Sequence, residues 1–233
     1  MIKNKPINTF YNCQDELISI EKNLLNYNTH IKNLISKRLS PSNKVLDFGA
    51  GIGTLSKLFD RKFNIECLEI DKSNRRKILK NKSYANLADT QKKYNVIYSS
   101  NVLEHIEFDL KIIKNIRGRL LNKGLLILYL PAFNFLYSQM DKSLGHYRRY
   151  DKKTLKSNLE ALKFKVIELH YVDSLGYFAA LVIKYQKVDR CIIANNKMMS
   201  FCDKFITPAS VIIDRLFFKH FFGKNIFVVA QKI

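Results

Sequence analysis

Lys44-Val45-Leu46-Asp47-Phe48-Gly49-Ala50-Gly51-Ile52-Gly53 is the stretch that decides the fold. Val45, Leu46 and Phe48 read as a short buried strand, which then breaks into glycines at alternate positions. Glycine carries no Cβ, so the backbone there can pass close beneath a ligand. A helical stretch expected around Leu55 to Phe59 would aim its first N–H groups at the same ligand. Two ligand classes use such a turn. A dinucleotide turn places its third glycine one residue beyond Gly53, where this chain has Thr54. Asp47 would also repel a pyrophosphate, whereas it suits a ligand with a cationic amino-acid end.

Working outward, Ile65 to Ile70 reads as a second strand, with Glu69 lying 22 residues after Asp47. An acid at the tip of that strand can accept both hydroxyls of a ribose. Glu69 is the candidate, and Asp71 is expected to begin the next helix. Tyr94 to Ser99 and Leu125 to Leu130 read as further buried strands, with a helix from about Phe108 to Leu121 between them. A weaker strand is expected near Tyr84 to Leu87. Alternating strands and helices give a parallel, doubly wound sheet with helices on both faces. Phe164 to Val172 and Asn225 to Gln231 would add a C-terminal antiparallel pair, making seven strands. In front of all this, Leu17, Ile20, Leu24, Tyr27, Ile31 and Leu34 step by three and four, predicting one amphipathic helix over 15–39.

With 233 residues and no linker or repeat, the chain reads as one α/β domain spanning 1–233. Within it, 44–131 form the ligand-binding core, and 132–160 and 173–222 are insertions beside the acceptor. No apolar run reaches the roughly 20 residues of a membrane span, and residues 1–10 lack a signal-peptide core. Cys13, Cys67, Cys191 and Cys202 form no C-x-x-C pair. Neither a disulfide framework nor a zinc site is expected, no metal is assigned, and a reducing cytoplasm is the expected compartment.

The formal charge of +20 favours acidic partners such as nucleic acid, phosphorylated substrates or an anionic membrane face. Compositional drift explains it equally well, because the lysines are spread along the whole chain. Segment 201–222 mixes Phe201, Phe205, Val211, Ile212, Leu216, Phe217, Phe218, Phe221 and Phe222 with Lys204, Arg215 and Lys219. Such a stretch can lie on an anionic membrane, or it can pack as core beneath a helix pair.

At this point the residues resemble the class I S-adenosylmethionine-dependent methyltransferases, over roughly residues 20 to 232. Val45 to Gly53 is similar to their first motif, and Leu68-Glu69 to the end of their second strand. Tyr94 to Ile106, with Leu103-Glu104-His105, resembles their strand-four segment. The resemblance implies a Rossmann-like fold and S-adenosylmethionine as cofactor. It also implies a cofactor set of Asp47, Gly49, Ala50, Gly51, Gly53, Glu69, Asn101 and Leu103. Two positions depart from the pattern: Asn95 stands for the usual Asp, and Lys123-Gly124 carries one glycine where two are common.

A narrower resemblance, to a bacterial subgroup, rests on Gly145-His146-Tyr147-Arg148-Arg149-Tyr150. Asp141, Asp173, Gly176, Ser210, Asp214 and Gly223 fit the same subgroup. It implies a sugar, glycan or lipid-linked acceptor. His146 is a candidate general base, with His105 as a second. Arg148 and Arg149 can clamp a phosphate, or else bind the protein's own carboxylates. Tyr147 and Tyr150 offer flat faces to an acceptor. The expected reaction is O-methylation. The alternatives are a nucleic-acid base methyltransferase and a non-enzymatic cofactor-binding scaffold. Ser99-Ser100-Asn101 lacks the segment typical of amino-group methylation, and a scaffold would be expected to have lost Asp47 or Glu69.

Overall fold

The computed structural model describes residues 14–186, 196–216 and 218–233. Seven strands form one sheet: β1 (Lys44–Phe48), β2 (Asn64–Leu68), β3 (Ser83–Tyr84), β4 (Tyr94–Ser100), β5 (Leu120–Pro131), β6 (Phe164–Val172) and β7 (Asn225–Lys232). Their order is β3-β2-β1-β4-β5-β7-β6. The first five run parallel, and β7 inserts antiparallel between β5 and β6. Strand order reverses at β1, and there a parallel sheet opens a crevice beyond its carboxyl ends. The expected seven-stranded, doubly wound sheet with its antiparallel end is therefore present.

Nine helices among the described residues complete the layers: α1 (Gln14–Asn23), α2 (Leu25–Ser36), α3 (Lys72–Arg75), α4 (Asp109–Arg119), α5 (Gln139–Ser143), α6 (Lys152–Ala161), α7 (Ser174–Gln186), α8 (Asn196–Phe201) and α9 (Thr207–Leu216). Alternating side chains along each strand feed two cores, as a two-residue period requires. On one face Leu46, Ile97, Leu126, Leu128 and Val228 meet Ile113 and Ile116 of α4 and Leu155 and Leu159 of α6. On the other, Val45, Val96, Tyr98, Ile127, Phe227 and Val229 meet Ile31 and Ile35 of α2.

Three expectations change. The single N-terminal helix is two, because the chain breaks at Leu24 (φ −118°, ψ 50°). The new N-terminus of α2 takes its cap from far along the chain: Asp203 accepts the N–H groups of Asn26 and Tyr27, both at 2.8 Å. The helix expected after the glycines is a 3₁₀ turn over Ser56–Leu58. The turn expected before the fifth strand lies inside β5, with Lys123 itself in the left-handed region (φ 60°) and Gly124 packed on the Leu121 carbonyl. Asn95 lies away from the crevice, where its side chain accepts the Lys44 N–H at 2.9 Å.

Segment 196–222 is inside-out. Its buried residues are Asp203, Ser210 and Asp214, while Phe201, Phe205, Ile212, Leu216, Phe218 and Phe221 are exposed. Carboxylates fasten it: Asp214 accepts the N–H groups of Asp173 and Ser174 and the Ser174 hydroxyl at the start of α7. The packed-core alternative for this stretch does not hold for these side chains. Phe217 lies outside the described residues.

Candidate active site

The glycine turn continues the β1–β2 pairing, since the N–H groups of Gly49 and Ala50 both reach the Leu68 carbonyl at 2.9 Å. Gly49, Gly51 and Gly53 have φ of 79°, 55° and 81°, backbone that side chains seldom adopt. A Cβ on Gly49 would stand 2.5 Å from the Val102 side chain, so β4's following loop closes against bare backbone. Glu69 stabilises the turn through its carboxylate, which accepts Gly51 N–H and Asp71 N–H, each at 2.8 Å. Each oxygen keeps a second lone pair for a hydroxyl. Asp71 caps α3 by accepting Asn74 N–H at 2.8 Å.

Asp47 sits at the floor of this turn, 2% exposed, and its Oδ2 has no hydrogen-bond partner among the described residues. Burial pushes its carboxyl up to about 7; the Tyr98 hydroxyl pulls the other way and the Glu69 charge adds to the rise. Burial likewise raises Glu69, against its backbone donors. An orphaned carboxylate beside bare backbone fits a cofactor with a cationic amino-acid end, and a second fixed carboxylate fits its ribose. Leu17 of α1 lies over Gly51, and Glu21 holds Lys57 and Thr54, so α1 covers the turn.

Asn101 leaves β4 in the left-handed region (φ 52°) at the same sheet edge. Leu103, placed with the cofactor on resemblance, is completely buried in the core.

The loop after β4 meets the segment after β5 through a backbone clamp, Tyr147 N–H to the Glu104 carbonyl at 2.7 Å. That clamp sets the His105 and His146 rings 4.5 Å apart and nearly perpendicular. Asp141 lies 3.0 Å from His146 Nδ1 and 2.9 Å from Arg149 Nε. Burial works against the Asp141 anion, but His146 and Arg149 outweigh it and hold the carboxyl at about 2. With Nδ1 facing this carboxylate, Nε2 is the His146 nitrogen left for another partner. His105 is pushed down to about 3, first by burial and then by His146, so it stays neutral.

The remaining residues of this segment serve the protein itself. Arg148 pairs with Asp109 at 2.5 Å and with the Glu107 carbonyl. Arg149 is buried on Asp141. Tyr150 is no open platform: its ring is buried and its hydroxyl donates to Asp109 at 2.9 Å. Tyr147 is exposed, with the Arg148 guanidinium 5.9 Å from its ring centroid. Glu104 was missed from sequence. It is 1% exposed, neither carboxylate oxygen is hydrogen-bonded among the described residues, and burial pushes it up to about 7 despite nearby His146. Its sequence signal was its place in the Leu103-Glu104-His105 segment, which assigned it no role.

Residues 20–169, well over half of the chain, match the methyltransferase-domain family. This chain belongs to that family. With this sheet order and glycine turn it is a class I, S-adenosylmethionine-dependent methyltransferase. Solved structures agree on the fold. A methyltransferase from Archaeoglobus fulgidus is 16% identical, with TM-score 0.57 over 88% of this chain and 94% of that one. One from Clostridium acetobutylicum is 13% identical, with TM-score 0.55 over 95% and 99%. The [4+2]-cyclase SpnF is 15% identical, with TM-score 0.57 over 87% and 80%, so at this identity the likeness reports fold alone. No curated protein sequence matches the methyltransferase.

Proposed function

We propose that this methyltransferase O-methylates a hydroxyl on a sugar, glycan or lipid-linked carrier. The Asp141–His146 pair carries the proposal. An imidazole with Nδ1 held by a carboxylate at 3.0 Å presents Nε2 to a hydroxyl proton. S-adenosylmethionine supplies an already activated methyl group. The protein's part is to hold it by Asp47, Gly49, Gly51 and Glu69, to align the acceptor, and to remove its proton. An already anionic acceptor would need no such base.

The carrier part of the proposal rests on segment 196–222. Its exposed Ile212, Leu216 and Phe205, among exposed Lys204 and Arg215, suit a substrate presented at an anionic lipid surface. No helix among the described residues is long and apolar enough to cross a membrane. The subgroup resemblance of Gly145 to Tyr150 points the same way.

Methyl transfer from labelled S-adenosylmethionine to free sugars, polyprenyl-phosphate-linked glycans and RNA tests the reading. Label is expected on a glycan oxygen, and His146→Asn should slow it about 100-fold with cofactor affinity unchanged. Label on RNA bases alone, or full activity in His146→Asn, overturns it.

A further inference from the structure

We propose that Glu104, His105 and His146 form a binding site for a divalent transition-metal ion. One ligand atom from each of the three lies within 4.8 Å of the others. The Glu104 carboxylate is the deciding feature, because both oxygens are buried and have no hydrogen-bond partner among the described residues. An isolated carboxylate costs too much in such a place to go uncompensated by a proton, a partner or a metal. Here its neighbours are two imidazoles, groups that share a cation with it.

The surroundings are those of a metal-bound histidine. A ligating imidazole is usually fixed by a carboxylate on its other nitrogen. Asp141 does this for His146, and Asp141 is itself held by Arg149 and by Ser138 N–H at 2.9 Å. Donors around a cation with bonds of about 2.0–2.2 Å sit roughly 3–4 Å apart, so small ring rotations close the cluster. Two nitrogens and one carboxylate favour zinc, cobalt, iron or manganese over magnesium and calcium, which prefer oxygen. Three protein ligands also leave positions open for substrate.

The site rests on the O-methylation reading for its use, although not for its existence, and when filled it takes over the proton-removing role otherwise given to His146. A cation there takes the Nε2 lone pair, so His146 becomes a ligand and the cation becomes the acidifying group. An acceptor hydroxyl bound at the open position would be acidified by the cation, would pass its proton to solvent and would keep the lone pair that attacks the methyl carbon. A sugar hydroxyl is an acceptor that can fill the open position of such a four-coordinate site.

The test is a Co²⁺ titration of the full-length, metal-stripped protein, followed by visible absorption without acceptor or cofactor. We expect one Co²⁺ per chain with the stronger bands of low-coordinate cobalt, displaced by Zn²⁺ and indifferent to excess Mg²⁺. Glu104→Gln and His146→Asn should each weaken binding at least tenfold. Asp141→Asn should weaken it about 10–100-fold as a positioning residue. His170→Asn, which alters the separate His170–Glu168 pair, should change nothing. No band at millimolar Co²⁺, or tight binding that survives both Glu104→Gln and His146→Asn, overturns the site. If those variants unfold, the wild-type titration and His105→Asn decide instead. A cobalt site in a protein that methylates a hydroxyl at full rate after chelation overturns only its catalytic use.

Discussion

Asp47 shows what a binding residue costs the protein that carries it. Its carboxyl is raised to about 7 by burial, so the folded state holds this proton far more tightly than the unfolded chain does. The associated stability is complete below the unfolded pKa and is lost as pH climbs toward 7. In the cofactor-free protein Asp47→Asn should therefore flatten the fall in melting temperature between pH 5 and 8. At pH 8 the variant should be more stable by on the order of a few kcal/mol, while S-adenosylmethionine binding is lost. Thermal melts at both pH values, with and without cofactor, check this; equal pH slopes for wild type and variant would refute it. Glu69 behaves differently because it serves the fold as well, through Gly51 N–H and Asp71 N–H. Glu69→Ala should weaken cofactor binding by about 1–3 kcal/mol in calorimetry and also lower the melting temperature. A variant that binds equally well would remove Glu69 from the cofactor site.

At the scale of elements, the strands were legible in the sequence and the helix ends were not. Leu125 to Leu130 is a continuous apolar run, and Val45 to Phe48 and Tyr94 to Ser99 are mostly apolar, as strands buried on both faces tend to be. The N-terminal helix misled because its three-and-four spacing runs unbroken through Leu24. The break is stabilised by Asp203, which is remote in sequence, so no local pattern could reveal it. Asp203→Ala should destabilise the protein by about 0.5–2 kcal/mol, the range for losing a helix cap. Asp214→Ala should cost more, on the order of 3 kcal/mol, since it strands two N–H groups and a hydroxyl in the interior. Urea denaturation measures both. A neutral Asp203→Ala would mean that α2 starts as well without its remote cap. Asp173, Gly176, Ser210 and Asp214, first noticed as subgroup residues, thus act together: Ser210 donates to Asp173 at 3.1 Å, and Gly176 N–H does so at 2.9 Å.

For the whole molecule, the proposed lipid surface draws on the +20 charge and the inside-out segment together. Ile212 and Leu216 are 61% and 71% exposed on α9, and exposed Lys197, Lys204 and Arg215 lie along the same segment. Binding to anionic vesicles should be measurable by co-sedimentation. It should fall as salt rises, because the screening length is about 8 Å at physiological ionic strength. The double variant Ile212→Ser, Leu216→Ser should bind less while keeping its fold, since neither side chain is in the core. Vesicle binding that ignores salt or the double variant would leave this face without a lipid role, and tight RNA binding in its place would favour the nucleic-acid alternative.

The sequence by itself determined the sheet, its antiparallel end and the glycine turn with Asp47 and Glu69. Buried strands and tight turns are dictated by local apolar runs and by missing Cβ atoms, which are written one residue after another. Tertiary structure alone decided that Arg148, Arg149 and Tyr150 face the protein's own carboxylates and that α9 turns its apolar side outward. It alone placed the unpartnered carboxylate of Glu104 against two imidazoles. Those facts depend on which loops meet, here through the Tyr147 to Glu104 backbone bond between segments some forty residues apart. Desolvation and pairing are properties of such meetings, and no single segment encodes them.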